Sequence, residues 1–337
     1  MMKPINLKLG NTAFLKAYWT TMFCMGANPD EYAYTMFADH NMDYPKVGGM
    51  AELQQVILTL HDLVGNAETN GYQVVIGNGA TQMVMAAMHA LSEKHQVKNV
   101  FYDSPHWFRF GTIVYLNGLS KGCKQYGRNI EIVTSPNNPD NKYIEPGVGP
   151  HFIYDLSYNW PQYIDVKKQD KDIMIFSLAK STGHAGSRIG WALVKDVEIA
   201  EKMESFIEYT SGSVSVDSQT RAAILLASQV TKIQDGAFDA TCFKFGKDIL
   251  ADRWNRIKEA LKTDKIKILN DSGMFAWGEV SKEELGNKAA VNYLEEKFGI
   301  KSMDGCLCGG TLYNFRLNVG CKEEEFNEFI SRMSSIT

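Results

Sequence analysis

The sequence predicts an α/β fold with a mostly parallel central sheet and a smaller α+β domain. Over residues 48–196, short apolar runs that end in polar, glycine- or proline-containing loops alternate with stretches of helical periodicity. That pattern is typical of a sheet covered by helices on both faces. At 337 residues the chain also exceeds what one hydrophobic core usually covers, so a second domain is expected. We expect a large domain over residues 47–235 and a small domain over 236–337, with residues 1–46 packing beside the small domain.

Each predicted element has its own periodicity. GMAELQQVILTLHDLVG and TQMVMAAMHALSEKH place apolar residues at helical spacing, and the strand-length run YQVVIG lies between them. Five further runs of strand length follow: KNVFYDS, IEIVTS, HFIYDLS, DIMIFSL and GWALVKD. Residues 197–261 are predicted to form several helices. The strands KIKIL, GMFAWGEV and LYNFRLNVG, the helix NKAAVNYLEEKFG and a last helix then make up the small α+β domain.

Composition argues against several classes of protein. A formal net charge of -4 without a clustered basic patch argues against a nucleic-acid-binding surface. No apolar run approaches the roughly 18 residues that indicate a membrane span. The first residues, MMKPINLKLGNTAF, lack the apolar core of a signal peptide, so we expect a cytoplasmic protein with no membrane contact. The six cysteines are scattered, and Cys306 and Cys308 lack the partner pair of a metal site, so no metal is expected.

Four loops that follow predicted strands carry unusual residues. GNGATQ, at residues 77–82, joins a strand to a helix, and its glycines and the free N–H groups of the helix start suit a phosphate. SPNNPD, at residues 135–140, has the composition of a turn. Asp155 in YDLSYNWP ends an apolar strand, where a buried carboxylate requires a cationic partner. SLAKSTGHAGSR, at residues 177–188, brings Lys180 and Arg188 to the end of another strand.

These loops are expected to share one site, because ligands of open α/β sheets bind outside the carboxyl ends of the strands. A phosphate cradle, a buried acid and a lysine are together what pyridoxal phosphate requires. The acid keeps the ring nitrogen protonated, and the lysine holds the aldehyde as a Schiff base. A nicotinamide-dependent dehydrogenase is an alternative use of GNGATQ with Asp103, but it leaves Lys180 and Asp155 without a task. A cofactor-binding regulator without catalysis is a third possibility.

The motifs resemble those of the plant alliinase and tryptophan aminotransferase family, a branch of the fold-type I pyridoxal phosphate transferases. IEIVTSPNNPD, YDLSYNWPQY and SLAKSTGHAGSRIGWALVKD carry the resemblance, and LHDLVGNA and YQVVIGNGATQ precede them in the family's order. The resemblance covers residues 43–196 and thins afterwards to MFAWGEV and FRLNVG. Asn141 stands where the family's NPDG loop usually has glycine. Asparagine tolerates a left-handed backbone, so we expect the turn to survive.

The resemblance implies a role for each matching residue. Lys180 matches the Schiff-base lysine, which also moves a proton between the substrate Cα and the cofactor, and Asp155 matches the acid at the ring nitrogen. Arg316 matches the arginine that clamps the substrate α-carboxylate, with Asn138 beside it. Tyr44 matches a tyrosine that reaches the phosphate of the neighbouring subunit, which implies a homodimer. The other implied ligands are Ala80, Thr81, Ser177 and Arg188 for the phosphate, Asn138 and Tyr158 for the phenolic oxygen, and Trp107 for the ring face.

The resemblance implies an aminotransferase or a lyase. We favour a pyridoxal-phosphate-dependent aminotransferase that passes the amino group of an apolar or aromatic, tryptophan-like L-amino acid to a 2-oxo acid. This is the commoner activity of the fold, and RLNV resembles aminotransferases. The alternative is an alliinase-type carbon–sulfur β-lyase that acts on S-substituted cysteine derivatives. The aromatic residues that we expect around the substrate are Phe14, Tyr18, Trp19, Trp107 and Trp277.

Overall fold

The computed structural model describes residues 5–8, 13–15, 17–19, 44–123, 129–147, 149–261 and 263–334. Its strands, in chain order, are β1 (Ile5–Asn6), β2 (Gln73–Gly77), β3 (Asn99–Phe101), β4 (Ser120–Lys121), β5 (Asn129–Thr134), β6 (His151–Asp155), β7 (Ile173–Ser177), β8 (Gly190–Val194), β9 (Ile266–Ile268), β10 (Phe275–Val280), β11 (Ile300–Lys301), β12 (Met303–Asp304) and β13 (Asn314–Asn318). Its α-helices of four or more residues are α1 (Ala51–Val64), α2 (Ala80–His95), α3 (Phe110–Leu116), α4 (Leu178–Ser181), α5 (Val197–Ser211), α6 (Val216–Gln234), α7 (Cys242–Ala260), α8 (Lys282–Leu285), α9 (Ala290–Phe298) and α10 (Glu323–Met333). Within these described segments, no helix is both long and apolar enough to cross a membrane.

A seven-stranded sheet forms the centre of the larger unit, in the order β2-β8-β7-β6-β5-β3-β4. Neighbouring strands from β7 to β4 are parallel, whereas β8 runs antiparallel to both β7 and β2. The predicted α/β fold with a mostly parallel sheet is therefore confirmed. The antiparallel direction of β8 has a local cause. Only α4 and a short turn separate β7 from β8, so the chain returns beside β7 instead of crossing over the sheet.

Helices and a buried aromatic core hold β7 and β8 in place. Helix α2 packs against β6, β7 and β8, and also against α5. The indole Nε1 of Trp191 on β8 donates a 2.9 Å hydrogen bond to Nε2 of His61, whose Nδ1 lies 2.7 Å from Oδ1 of Asn66. Burial lowers the pKa of His61 to about 4, so the ring is neutral and Nε2 is free to accept. The two strands that flank Lys180 therefore rest on a core in which the polar atoms of Trp191, His61 and Asn66 are paired.

The smaller sheet has the order β12-β13-β10-β9, and its neighbouring strands are antiparallel. On β13, Arg316 pairs with Trp277 of β10 and with Met303 of β12. Strand β1 pairs in parallel with β11, and the Asn318 N–H donates a 3.0 Å hydrogen bond to the Leu7 carbonyl. Residues 5–8 thus lie against this sheet. The domain limits 47–235 and 236–337 stay predictions.

The loop after β5 keeps its turn although asparagine replaces the usual glycine. Asn141 has a φ of 58°, in the left-handed region, and its N–H donates to the Asn137 carbonyl at 2.9 Å. The Asn137 side chain in turn donates to Asp140 Oδ1 at 2.8 Å and to the Pro105 carbonyl at 2.9 Å. The predicted tolerance of Asn141 for this conformation is confirmed. The turn fixes the position of Asn138 at the end of the sheet.

Candidate active site

A cavity of about 580 Å³ lies where several strands of the central sheet end and the smaller sheet approaches. Its lining includes, apart from Tyr44, every residue to which the family resemblance gives a role: Ala80, Thr81, Trp107, Asn138, Asp155, Tyr158, Ser177, Lys180, Arg188 and Arg316. Tyr44 does not line the cavity, and its side chain is 96% exposed on the single chain. The structure therefore brings together ten positions that span more than two hundred residues of sequence.

One end of the cavity is built for an anion. Helix α2 begins directly after Gly79, which has a φ of 84° and no side chain that could cap the helix N–H groups. A Cβ on Gly79 would lie 2.5 Å from Nη2 of Arg188, and one on Gly190 would lie 2.5 Å from the Ala80 nitrogen. These two glycines let the start of α2, the start of β8 and the Arg188 guanidinium pack together. Uncapped N–H groups beside an arginine favour a phosphate.

Arg188 is itself oriented by main-chain carbonyls. Its Nη1 donates to the Ala185 carbonyl at 3.0 Å, and its Nη2 donates to the Asn78 carbonyl at 3.4 Å. Ser177, on the other side, accepts a 3.2 Å hydrogen bond from the Ala179 N–H and so caps the short helix α4. Both side chains are thereby fixed at the anion end of the cavity.

Lys180 lies in α4, immediately after β7, and its backbone is held from two directions. Gln162 Nε2 and Tyr163 Oη donate hydrogen bonds of 2.8 Å and 2.9 Å to the Lys180 carbonyl. The amine Nζ lies 3.7 Å from Sδ of Met274 and 5.5 Å from the centroid of the Tyr158 ring. The amine therefore points into the part of the cavity that is shared by the two sheets.

The surroundings of Lys180 lower its pKa to about 7. Burial is the largest cause, the positive charge of Arg316 is the next, and Arg188 adds to it, while Asp155 acts in the opposite direction. A lysine in this range is a substantially neutral amine near neutral pH. It can act both as a nucleophile and as a general base.

Asp155 ends β6 and is buried, with 6% of its surface exposed. Its Oδ1 accepts a 2.6 Å hydrogen bond from Ser157 Oγ and a 3.2 Å hydrogen bond from the Ser157 N–H. Burial raises the pKa of the carboxyl, and the Ser157 hydrogen bonds and the Lys180 charge oppose that rise. A buried carboxylate is costly unless a cation or a donor faces it, so the position suits a protonated ring nitrogen.

Arg316, Asn138 and Tyr158 form a connected network at the opposite end of the cavity. Arg316 is 2% exposed; its Nη1 donates to Asn138 Oδ1 at 2.8 Å, and its Nη2 donates to the Lys8 carbonyl at 3.3 Å. Asn138 Nδ2 then donates to Tyr158 Oη at 3.1 Å. The buried Nε of Arg316 has no hydrogen-bond partner among the residues that the structure describes. This orphaned donor suits an anionic group that enters the cavity.

Of the five aromatic residues expected around the substrate, Trp107 is the one that the cavity lining includes. Trp19 instead donates a 2.7 Å hydrogen bond to the Thr182 carbonyl, and Tyr18 donates to the Ala240 carbonyl at 3.0 Å. Phe14 is buried against Gly320 and Gly246. These three residues belong to the hydrophobic core. Trp277 is also a core residue, and it packs with Met303, Cys308 and Phe108. The sequence does not separate the two settings, because an aromatic ring is buried equally well in a core and in a pocket.

Other residues of the site were missed from the sequence. Phe108, Arg109, Ser157 and Phe275 line the cavity. The Phe275 ring lies 4.2 Å from Cζ of Arg316 and 6.0 Å from Nζ of Lys180. Ser157 had a readable signal, since a serine two residues after a buried aspartate readily bonds back to it. Asp103, the acid of the dinucleotide alternative, does not line the cavity.

Comparison with known proteins gives three kinds of match. A family model described as Allinase matches residues 5–337. Tryptophan aminotransferase-related protein 2 of Arabidopsis thaliana is 34% identical over 98% of this chain and 81% of its own length. Alliin lyase 1 of Allium sativum is 30% identical over 82% of this chain and 59% of its own length.

Solved structures of aminotransferases are among those that match. A methionine aminotransferase of Escherichia coli is 16% identical, with a TM-score of 0.73 over 99% of this chain and 94% of its own. An aspartate aminotransferase of Thermus thermophilus is also 16% identical, with a TM-score of 0.72 over 99% of this chain and 92% of its own. At this identity the likeness shows a shared fold.

Proposed function

Because the chain belongs to the alliinase family and is a pyridoxal-phosphate-dependent enzyme of fold type I, we propose that it is an aminotransferase. It passes the amino group of an apolar or aromatic L-amino acid to a 2-oxo acid. The family includes relatives named for tryptophan aminotransferases and relatives named alliin lyase, so the reaction is decided by the site of this chain.

The orphaned donor of Arg316 carries the proposal. A guanidinium has five N–H donors, and the hydrogen bonds of Arg316 to Asn138 and Lys8 use two of them while Nε stays unpaired, so donors remain that could bind a carboxylate in two parallel hydrogen bonds. Both substrates of a transamination, the amino acid and the 2-oxo acid, have a carboxylate next to the reacting carbon. One fixed arginine therefore orients both in turn. Asn138, which accepts from Arg316 and donates to Tyr158, keeps the guanidinium in place.

The residues of the cavity fit pyridoxal phosphate. The two glycines let the start of α2 and the Arg188 guanidinium lie close together, and a phosphate there would be held by Ala80, Thr81, Ser177 and Arg188. Asp155 would pair with the ring nitrogen, Asn138 and Tyr158 with the phenolic oxygen, and Trp107 with the ring face. When bound, the cofactor supplies an electron sink that makes the α-proton of an amino acid acidic.

Lys180 then acts as the proton carrier. With a pKa of about 7, its amine takes the proton from the substrate Cα at neutral pH. Because the Lys180 backbone is held by two hydrogen bonds, the same nitrogen could return that proton to a carbon of the bound cofactor. Positioned general bases of this kind contribute roughly 10²- to 10⁴-fold in rate. The positive charge of Arg316 helps to keep the waiting amine neutral.

The walls near Arg316 favour an apolar side chain on the substrate. Trp107, Phe108 and Phe275 line the same cavity, and the Phe275 ring lies directly beside the Arg316 guanidinium. An amino acid held through its carboxylate by Arg316 would place its side chain among these rings. This supports an apolar or aromatic substrate.

A carbon–sulfur β-lyase is the second candidate, and the relatives named alliin lyase favour it. Both reactions start when Lys180 removes the α-proton. In transamination the proton is returned and the nitrogen is passed on to an acceptor. In the lyase a β-substituent leaves instead, and no acceptor is needed.

The acceptor requirement separates the two reactions. The purified holoenzyme is mixed with tryptophan, phenylalanine, methionine or an S-alkyl cysteine sulfoxide, with and without a 2-oxo acid, and a Lys180→Ala variant serves as the blank. We expect repeated turnover only when the 2-oxo acid is present. Pyruvate formed from the sulfoxide without an acceptor would overturn the proposal in favour of the lyase.

A homodimer is part of the proposal because of Tyr44. Its side chain is 96% exposed on the single chain, although it precedes a helix that packs into the large unit. A partner subunit would bury it and bring its hydroxyl to the partner's phosphate. Sedimentation should show a dimer, and Tyr44→Phe should weaken pyridoxal phosphate binding without dissociating the dimer.

A further inference from the structure

Arg109 lines the candidate active site but matches none of the positions that the family resemblance implies. It lies immediately before α3, and its carbonyl accepts a 3.0 Å hydrogen bond from the Ile113 N–H. The neighbouring Phe110 N–H donates to the Trp107 carbonyl at 3.1 Å. The backbone is therefore held in place, while the Arg109 side chain is exposed at the mouth of the cavity.

Two cavities meet at Arg109. The second, which is also about 580 Å³, lies beside the start of α2 and is lined by polar residues that include Asn78 and Gln82. Thr81, Arg109 and Arg188 line both cavities. Since Thr81 and Arg188 are the proposed phosphate ligands, the shared wall places Arg109 beside the phosphate end of the site, while the Phe108 ring lies within reach of both the Arg109 and the Arg316 guanidinium.

The positive charge of Arg188 and the start of α2 does not by itself balance a phosphate at this end of the cavity, so a second cation would stabilise it. A phosphate monoester carries roughly 1.5 to 2 negative charges at neutral pH. Arg188 supplies one positive charge, two of its N–H groups already face carbonyls, and the start of a helix adds about half a charge. The Arg109 side chain makes no hydrogen bond or ion pair with any residue in the described ranges; its Cζ lies 5.4 Å from the Phe108 ring centroid.

We infer that Arg109 is a second arginine for the cofactor phosphate, supplied by the same chain as Arg188. The inference rests on the proposed pyridoxal phosphate site. Arginine suits the position because its planar fork of donors matches two phosphate oxygens at once, which a lysine does not. Arg109 would approach the phosphate from the start of α3 and Arg188 from the loop before β8, so the anion site would use one cation from each of two elements.

The test compares two aldehydes that differ only in the phosphate. The apoenzyme is titrated with pyridoxal phosphate and with pyridoxal, and the dissociation constants are read from absorbance. We expect Arg109→Met to raise the dissociation constant of pyridoxal phosphate by about tenfold or more and to leave that of pyridoxal within about twofold. Arg109→Lys should fall between wild type and Arg109→Met. Lys121→Met, which removes an exposed cation that lines neither cavity, should change neither constant.

The outcomes separate this inference from the function on which it rests. If the wild-type protein binds neither aldehyde, the proposed cofactor site itself is wrong. If the wild type binds pyridoxal phosphate but Arg109→Met and Arg109→Lys bind both aldehydes as tightly as it does, Arg109 is not a phosphate ligand. The inference is also overturned if the variants only raise KM for a dicarboxylic 2-oxo acid, since Arg109 would then recognise a second substrate carboxylate.

Discussion

Arg316 and Asn138 join the two sheets of the protein at the active site. Nη1 of Arg316, on β13 of the smaller sheet, donates a 2.8 Å hydrogen bond to Oδ1 of Asn138, in the loop after β5 of the larger sheet. Both residues are 2% exposed, so the bond is made away from water, where it is worth more than at the surface. The substrate end of the cavity therefore exists only when the two sheets are correctly placed.

Replacing Arg316 tests whether it binds the substrate carboxylate. Arg316→Gln removes the positive charge and the paired N–H donors of the guanidinium. We therefore expect kcat/KM for the amino acid to fall by about 100-fold or more. Binding of pyridoxal phosphate, measured by titration of the apoenzyme, should change little. Lys267→Gln removes a cation from an exposed position of the same sheet and is the matched control. A normal KM in Arg316→Gln would show that the carboxylate binds elsewhere.

The pH dependence of Lys180 follows from its lowered pKa. In the folded apoenzyme the amine loses its proton at about pH 7 instead of the ordinary 10.5. Between these two values the unfolded chain binds one more proton than the folded chain, so this group makes stability rise with pH across that window. Competitive amine labelling of the apoenzyme, followed by peptide mapping, should give a midpoint near pH 7 for Lys180. Because Arg316 contributes to the shift, Arg316→Gln should move the midpoint upward; a midpoint near 10 in the wild type would contradict this explanation.

Replacing Asp155 tests its role at the ring nitrogen. Asp155→Asn keeps the volume but removes the negative charge, so a ring nitrogen would no longer be held in its protonated form. We expect kcat to fall by about 100-fold or more, while the protein stays folded by circular dichroism. Ser157→Ala removes only the 2.6 Å hydrogen bond to Oδ1 and should reduce kcat by a few-fold. Equal effects of the two variants would mean that the charge is not what matters.

The close packing of Gly190, the first residue of β8, can be tested against Gly186 in the segment just before that strand. A Cβ on Gly190 would lie 2.5 Å from the Ala80 nitrogen and 2.5 Å from the Gly79 carbonyl carbon, which are backbone atoms. Gly190→Ala should lower the free energy of unfolding by about 1–3 kcal/mol and weaken phosphate binding, because the start of α2 must shift. Gly186→Ala meets no atom within 4 Å and should be close to neutral. Thermal unfolding of both variants gives the comparison, and equal melting temperatures would refute the steric argument.

Sequence patterns predicted those parts of the site that lie at strand ends. Asp155 and Ser177 end parallel neighbours β6 and β7, so the rule for open sheets was enough to place them together. The bond between Arg316 and Asn138 joins residues 178 positions apart, and no local pattern encodes it. The antiparallel return of β8 and the burial of Trp19 against the Lys180 loop likewise depend on packing that a single sequence does not display.

The central claim is that Lys180 holds pyridoxal phosphate in this cavity, and chemical trapping tests it most directly. The enzyme is incubated with pyridoxal phosphate, reduced with borohydride, digested and mapped by mass spectrometry, beside a Lys180→Ala variant treated in the same way. We expect one strongly modified peptide, with the added mass on Lys180, and no comparable modification in the variant. Labelling spread over surface lysines, or a peptide that is modified equally in Lys180→Ala, would contradict the claim.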